Sequence, residues 1–260
     1  MKVKPIIKRA GGKTLLLKHL LPLVPPDAKC YVEVFGGGAA LLLARDAKGT
    51  EVYNDTDGEL VNLFRQAKHH PEELCRELSL LPGSRELFAE LKSHPGVTEI
   101  QRAATHLWMN KISFGGQMDY FGTDAGKGGS SSSSKKSFQD AVRAFARRFD
   151  RVIIERLDWR KIIATYDRPH TFFFFDPPYI NSVKNVGYAA WSHAEMADFA
   201  AVLPDLKGQW LLTTCDSPEC REIFGGYHIQ EGERANGIEN RPGKVKNSTY
   251  KELIITPKNS

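Results

Sequence analysis

The sequence predicts an α/β domain with a largely parallel sheet, interrupted by a mostly helical insert. Three observations carry this. Short apolar runs with strand character alternate with helical patterns along the 260 residues, the arrangement that places helices over the faces of a sheet. The first strand run ends in Gly36-Gly37-Gly38. Finally, Gly38 and Asp176 lie 138 positions apart, whereas two intervening βαβ units need only ~60–70 residues at ~30 each.

The strand runs fall at 30–35, 51–54, 151–155, 172–175, 210–214 and 252–256, with a more polar seventh at 227–230. They are rich in β-branched and aromatic residues and bounded by turn formers. Helical patterns occupy 14–21, 39–47, 59–68, 71–79 and 138–149, and Ser192-His193-Ala194-Glu195 fits a capping box that opens a further helix. The surplus residues lie between 60 and 139, read as an inserted subdomain. Its end, 126–136, is Gly126-Lys127-Gly128-Gly129 followed by five serines and two lysines, a tract that reads as a flexible surface loop. Segments 1–59 and 140–260 then form the main domain.

Composition is that of a globular chain, 41% hydrophobic and 26% charged. No apolar run approaches the ~20 residues of a membrane helix, and no apolar stretch follows the basic N-terminus, so neither a membrane span nor a secretory signal is expected. The expected location is the cytoplasm, and the expected state a monomer. Cys30, Cys75, Cys215 and Cys220 show neither C-x-x-C nor zinc-ligand spacing, so no metal and no disulfide is expected. The net charge of +5 permits a polyanionic partner. Arg143, Arg147, Arg148 and Arg151 recur at near-helical spacing. Arg234, Arg241, Lys244, Lys246 and Lys251 lie in a Gly/Asn-rich stretch without periodicity, which makes them the better candidates for a phosphate grip.

Tyr31-Val32-Glu33-Val34-Phe35-Gly36-Gly37-Gly38-Ala39-Ala40 is a strand running through glycines into a helix. Glycines there let a ligand approach backbone that a Cβ would cover. About twenty residues on, Asp55 ends the second strand, where a carboxylate suits ribose hydroxyls. Together these describe a site for an adenosine-type cofactor. The G-x-G-x-x-G register fails at Leu41 and nothing specifies a pyrophosphate, so a cofactor without phosphates fits better. Upstream, Gly12-Lys13-Thr14 imitates the end of a phosphate loop, but its leading glycine would fall on Ile7, which argues against an NTPase.

The run Thr171-Phe172-Phe173-Phe174-Phe175 leads into Asp176-Pro177-Pro178-Tyr179. Two prolines end the strand, remove two amide donors and favour extended geometry at Asp176 and Pro177. The Asp176 carboxylate and Pro177 carbonyl then stand as two acceptors beside an aromatic ring. That arrangement suits an exocyclic amine on a planar ring: two acceptors take its hydrogens and free its lone pair, while Tyr179 stacks on the ring. Adenine N6, cytosine N4 and an RNA guanine meet this description, the planar amide of a protein glutamine comes near it, and a catalytically silent DNA-binding protein that kept the fold is a further alternative. A long insert and a basic C-terminal stretch favour duplex DNA.

These motifs resemble the Dam-type, D12-class DNA adenine N6-methyltransferases, especially phage and prophage members. The resemblance rests on Lys8-x-Ala10-Gly11-Gly12-Lys13, Val32-Glu33-x-Phe35-x-Gly37, Asp55, Asp176-Pro177-Pro178-Tyr179 and 211–218, in the family's order. It implies a Rossmann-like S-adenosylmethionine-dependent methyltransferase sheet with an inserted target-recognition subdomain. It implies cofactor contacts from Lys13, Asp55 and Asp176, a pocket shaped by Phe35 and Gly37, and Asp158 toward the cofactor's adenine end. Asp176, Pro177 and Tyr179 would be catalytic on double-stranded DNA. Asn110, Lys111 and the loop from Ser113 to Gln117 would read bases, and Arg234, Lys244 and Lys246 would hold phosphates. Two departures stand out: Arg9 where the family often has Trp, and Ala39 where a second glycine is common.

Overall fold

The computed structural model describes residues 3–9, 11–113, 116–122, 135–180, 190–235 and 249–258, with backbone alone at 135, 233–235, 249 and 250. After a 3₁₀ turn at Lys13–Leu15, the elements are α1 (Leu17–Leu20), β1 (Cys30–Glu33), α2 (Ala40–Ala44), β2 (Thr50–Asn54) and α3 (Gly58–His69). There follow α4 (Pro71–Leu80), α5 (Arg85–Ser93), α6 (Glu99–Ile112), α7 (Lys135–Phe149), β3 (Val152–Glu155), α8 (Trp159–Tyr166) and β4 (Thr171–Phe175). The chain continues through α9 (His193–Val202), β5 (Gln209–Cys215), α10 (Pro218–Ile223), β6 (His228–Ala235) and β7 (Thr249–Thr256).

The seven strands form one sheet in the order β3-β2-β1-β4-β5-β7-β6. β1 to β5 are mutually parallel where they pair, and β7 runs antiparallel to both β5 and β6. The expected α/β architecture is therefore present, with all seven strand runs in place. Order reverses between β1 and β4, and in such sheets that switch point opens a crevice at the carboxyl ends of the strands.

The apolar character of the strands follows from burial on both faces. In β4, Phe172 and Phe174 join the core under α3, α6 and α7, while Phe173 and Phe175 join the core under α8, α9 and α10. This is the two-residue alternation of a strand. Removing one such ring, as in Phe173→Ala, costs about 3–5 kcal/mol.

The helical layer shows where sequence patterns fell short. The expected helix over 14–21 is a 3₁₀ turn followed by only the four residues of α1, with no side-chain cap at its start. The one expected over 39–47 stops at Ala44, because Arg45 is extended. Four helices were absent from the expected set, and three carry a polar N-cap followed by a short apolar pattern: Ser84 for α5, Asp158 for α8 and Ser217 for α10. The fourth, α6, opens on a Thr98–Gln101 capping box. The expected box at Ser192 is formed, with Glu195 N donating to Ser192 Oγ and Ser192 N to Glu195 Oε2. Of the arginines at helical spacing, Arg148 is drawn inward onto Glu51 at 2.6 Å, and Arg143 pairs with Glu72 at 2.7 Å. Among the described residues no helix is long and apolar enough to cross a membrane.

Candidate active site

Glycine is required where β1 leaves the sheet. Gly36 N donates to Asn54 O at 2.7 Å, and a Cβ at Gly36 would lie 2.2 Å from the Tyr53 ring. Gly37 has φ +49°. Its N–H donates to Asp55 Oδ2 at 2.8 Å, and its carbonyl accepts from the Tyr53 hydroxyl at 2.9 Å. The other Asp55 oxygen accepts from Asp57 N at 2.9 Å, so Asp55 braces the glycine loop. Asn54 completes this side, donating to Val34 O and Leu157 O while accepting from Leu157 N. The ends of β1, β2 and β3 are thereby tied together. Arg9 lies over the loop, its Cδ 3.9 Å from where a Gly37 Cβ would stand, and its guanidinium pairs with Asp57 at 3.3 Å.

Beneath the loop, Glu33 is buried and its Oε1 accepts from the Tyr31 hydroxyl and Leu42 N at 2.9 and 2.6 Å. Burial pushes its carboxyl up to about 8 despite those donors. Phe35 turns to the other face, edge-on to Trp191 and Phe199 with centroids 5.4 and 5.9 Å away. Trp159 adds a third wall to this aromatic patch.

Asp176 leaves β4 next to β1, at the switch point. Thr213 Oγ1 on β5 donates to its Oδ1 at 3.0 Å, and Lys13 Nζ pairs with its Oδ2 at 2.7 Å. The Lys13 ammonium also donates to Gly11 O at 2.8 Å and to the Tyr179 hydroxyl at 3.0 Å, and lies 3.5 Å from Glu252 Oε2. Lys13 is 4% exposed and Glu252 0%, whereas the Asp176 side chain keeps 21%. Burial alone would discharge Lys13, but Asp176 and Glu252 outweigh it and hold the ammonium well above the ordinary lysine range. Burial raises the Asp176 carboxyl, with Lys13 and Thr213 pulling it back. Burial likewise holds the Tyr179 hydroxyl in its neutral form. Pro177 is buried.

The structure thus brings Lys13, Asp176, Pro177 and Tyr179 together and sets Gly37 and Asp55 against each other on the adjoining strand ends. Asp158, at the carboxyl end of β3, caps α8 by accepting from Arg160 N at 2.9 Å. Asn110 and Ser113 are buried. The Asn110 amide is engaged by Lys8 N, Lys8 O and Gly116 O at 2.7, 2.7 and 2.9 Å, clamping the N-terminal segment to α6. Ser113 Oγ accepts from Met118 N and is buried too. Lys111 lies over the Phe138 ring, and burial together with Lys8 lowers its pKa to about 8. Arg234 is described only through its backbone in β6, and Lys244, Lys246 and most of the glycine-serine tract lie outside the described residues.

Thr213 and Glu252 carry site interactions that the motifs did not assign. Both sit inside apolar strand runs, and a lone carboxylate before Leu253-Ile254-Ile255 was the available signal.

Residues 10–238 match the model of the D12 class N6 adenine-specific DNA methyltransferase family. The chain is 26% identical to the type II methyltransferase M1.LlaDCHI of Lactococcus lactis subsp. cremoris, covering 98% of this chain and 95% of that protein. It is 25% identical to the type II methyltransferase M.CviBI of Paramecium bursaria Chlorella virus NC1A, with 94% and 95% covered. It is 23% identical to a DNA adenine methylase of Haemophilus influenzae, with 98% and 93% covered.

Proposed function

The chain belongs to the D12 class N6 adenine-specific DNA methyltransferase family, and from that premise we propose that it methylates adenine N6 at specific sites in double-stranded DNA, using S-adenosylmethionine and a flipped-out base. The observation that carries this reading is Asp176, held at the switch point by Lys13 and Thr213 with Tyr179 beside it.

The residues at the strand ends fit the cofactor. Gly37 leaves backbone uncovered except by the Arg9 side chain, Asp55 offers acceptors at the ribose position, and the Phe35 patch offers an aromatic wall for an adenine ring. Asp158 at the end of β3 serves the adenine end. When bound, S-adenosylmethionine supplies an electrophilic methyl group.

The target amine is inaccessible in the stack, so the base must rotate out of the duplex. Tyr179 then stacks on it, a contact worth about 1–3 kcal/mol. Asp176 and the Pro177 carbonyl accept the two amine hydrogens, which draws the nitrogen lone pair out of conjugation. Positioning and preorganised charge supply the rate enhancement. Lys111 contacts bases, with Asn110 bracing Lys8 and Gly116 beside it. Arg234, Lys244 and Lys246 grip phosphates.

The test incubates the protein with unmethylated duplex DNA and S-adenosylmethionine, then analyses the nucleosides. N6-methyladenine is expected and should vanish with Asp176→Ala; N4-methylcytosine, no methylation, or an active Asp176→Ala variant would each overturn the reading.

A further inference from the structure

Glu252 has no role in the reaction as described, yet a carboxylate in the interior of a sheet needs a reason. Its neighbours Leu253, Ile254 and Ile255 are fully buried core residues, as apolar packing of β7 requires. Glutamate is among the side chains least often fully buried without a partner. β7 lies two strands from β4, and it brings Glu252 Oε2 to 3.5 Å from the same ammonium that pairs with Asp176 at 2.7 Å.

That shared ammonium creates a conflict. In the structure, Asp176 Oδ1 accepts from Thr213 and Oδ2 from Lys13. The proposed reaction asks the same carboxylate to accept from the adenine amine. As the amine takes its place, the hold of Asp176 on Lys13 weakens, and a buried cation deprived of its counter-charge is strongly unfavourable. Tyr179 and Gly11 offer it only neutral oxygens. Glu33 on β1 supplies no counter-charge, because burial pushes its carboxyl toward the neutral form. Glu252 is the remaining carboxylate against Lys13 among the described residues.

We infer that Glu252 is a positioning residue for the methyl transfer: it receives the Lys13 ammonium as the adenine amine takes up Asp176. The inference rests on the proposed adenine N6 reaction.

Glu252→Gln keeps the shape and removes the charge. In the protein without DNA or cofactor, acetylation of Lys13 by acetic anhydride, read by peptide mass spectrometry against exposed Lys48, is expected to rise. In turnover, kcat is expected to fall roughly ten- to a hundredfold, the scale set by a misplaced catalytic group, with KM for DNA nearly unchanged. In a Lys13→Met background the same substitution should add little further loss. A wild-type kcat, unchanged Lys13 reactivity, or an equal loss in the Lys13→Met background would overturn the inference. Glu252→Asp, charged but one methylene shorter, should fall between the two on both readouts; if Glu252→Gln does not fold, wild-type values for Glu252→Asp overturn it. Because Lys13 reactivity is read without substrate, a protein inactive on adenine would refute the proposed reaction and leave the Glu252–Lys13 contact separately measured.

Discussion

The rim of the sheet and helices α4 to α6 handle charge in opposite ways. At the rim, Lys13, Asp55, Asp176 and Glu252 are largely shielded from water and tied to groups on other segments. On α4 to α6 and the loop that follows, charges stay in solvent: Arg76 with Glu73 at 63% and 59% exposure, and Lys92 with Asp119 at 50% and 48%. Breaking a buried pair costs about 3–5 kcal/mol, against about 0–1 kcal/mol for an exposed one. In the proposed reaction the rim holds chemistry in place, and α4 to α6 mainly hold a shape.

The largest test of this contrast is Asp176→Asn, which keeps the volume but makes one acceptor a donor. Turnover should fall by on the order of 10²–10³, the loss that follows removal of one preorganised polar group. Steady-state kinetics alongside a thermal melt separate the two halves of the claim, because a collapse of the fold would mean the rim is structural.

Asn110 should break the simple contrast. It belongs to the helical layer, yet its amide is buried and fully engaged. Asn110→Ala leaves Lys8 N and O and Gly116 O without this partner, at about 1–3 kcal/mol for each polar group left unsatisfied. Denaturant unfolding should show the loss, and DNA affinity should drop while cofactor affinity holds. A stable variant with normal DNA affinity would return Asn110 to the surface class.

Glu33 tests the rim through pH. Its folded pKa is raised to about 8 from an ordinary 4.5, so between those values the native state holds a proton that the unfolded chain releases. The stability it contributes is complete below about pH 4.5 and is lost as pH rises toward 8. The slope is limited to about 1.4 kcal/mol per pH unit for one proton. Glu33→Gln cannot ionise, so urea midpoints for variant and wild type should diverge in the variant's favour between pH 5 and 8. Parallel curves would show that Glu33 is ionised in the fold.

The contrast also separates what the sequence disclosed from what it hid. Strands were legible because burial on both faces makes them continuous apolar runs, and Phe172 to Phe175 admits no other reading. Asp176 to Tyr179 and the glycine turn were legible because proline and glycine restrict the backbone locally. The burial of Asn110 and Ser113 was not legible: a polar residue beside a loop looks the same whether it faces solvent or clamps the chain. Glu252 was hidden because its partner, Lys13, lies at the other end of the sequence, and only the order β4-β5-β7 brings them together. The short helices α8 and α10 were hidden because a single cap and turn give too little periodicity to detect.

Ala39 makes the smallest test, at the edge of the rim. It takes φ +55° and ψ +37° at the start of α2, a left-handed conformation that costs an L-residue about 1–2 kcal/mol. Ala39→Gly would relieve that strain. The same change removes a methyl group that is 0% exposed, worth about 0.8 kcal/mol, and frees the unfolded chain by a further ~0.4–1 kcal/mol. These effects nearly cancel, so the denaturation midpoint should move by less than about 1 kcal/mol. A gain well beyond that would mean the buried methyl contributes little and the strain dominates. A comparable loss would mean the methyl packs against the cores on which the glycine loop rests, and cofactor affinity should then weaken with it.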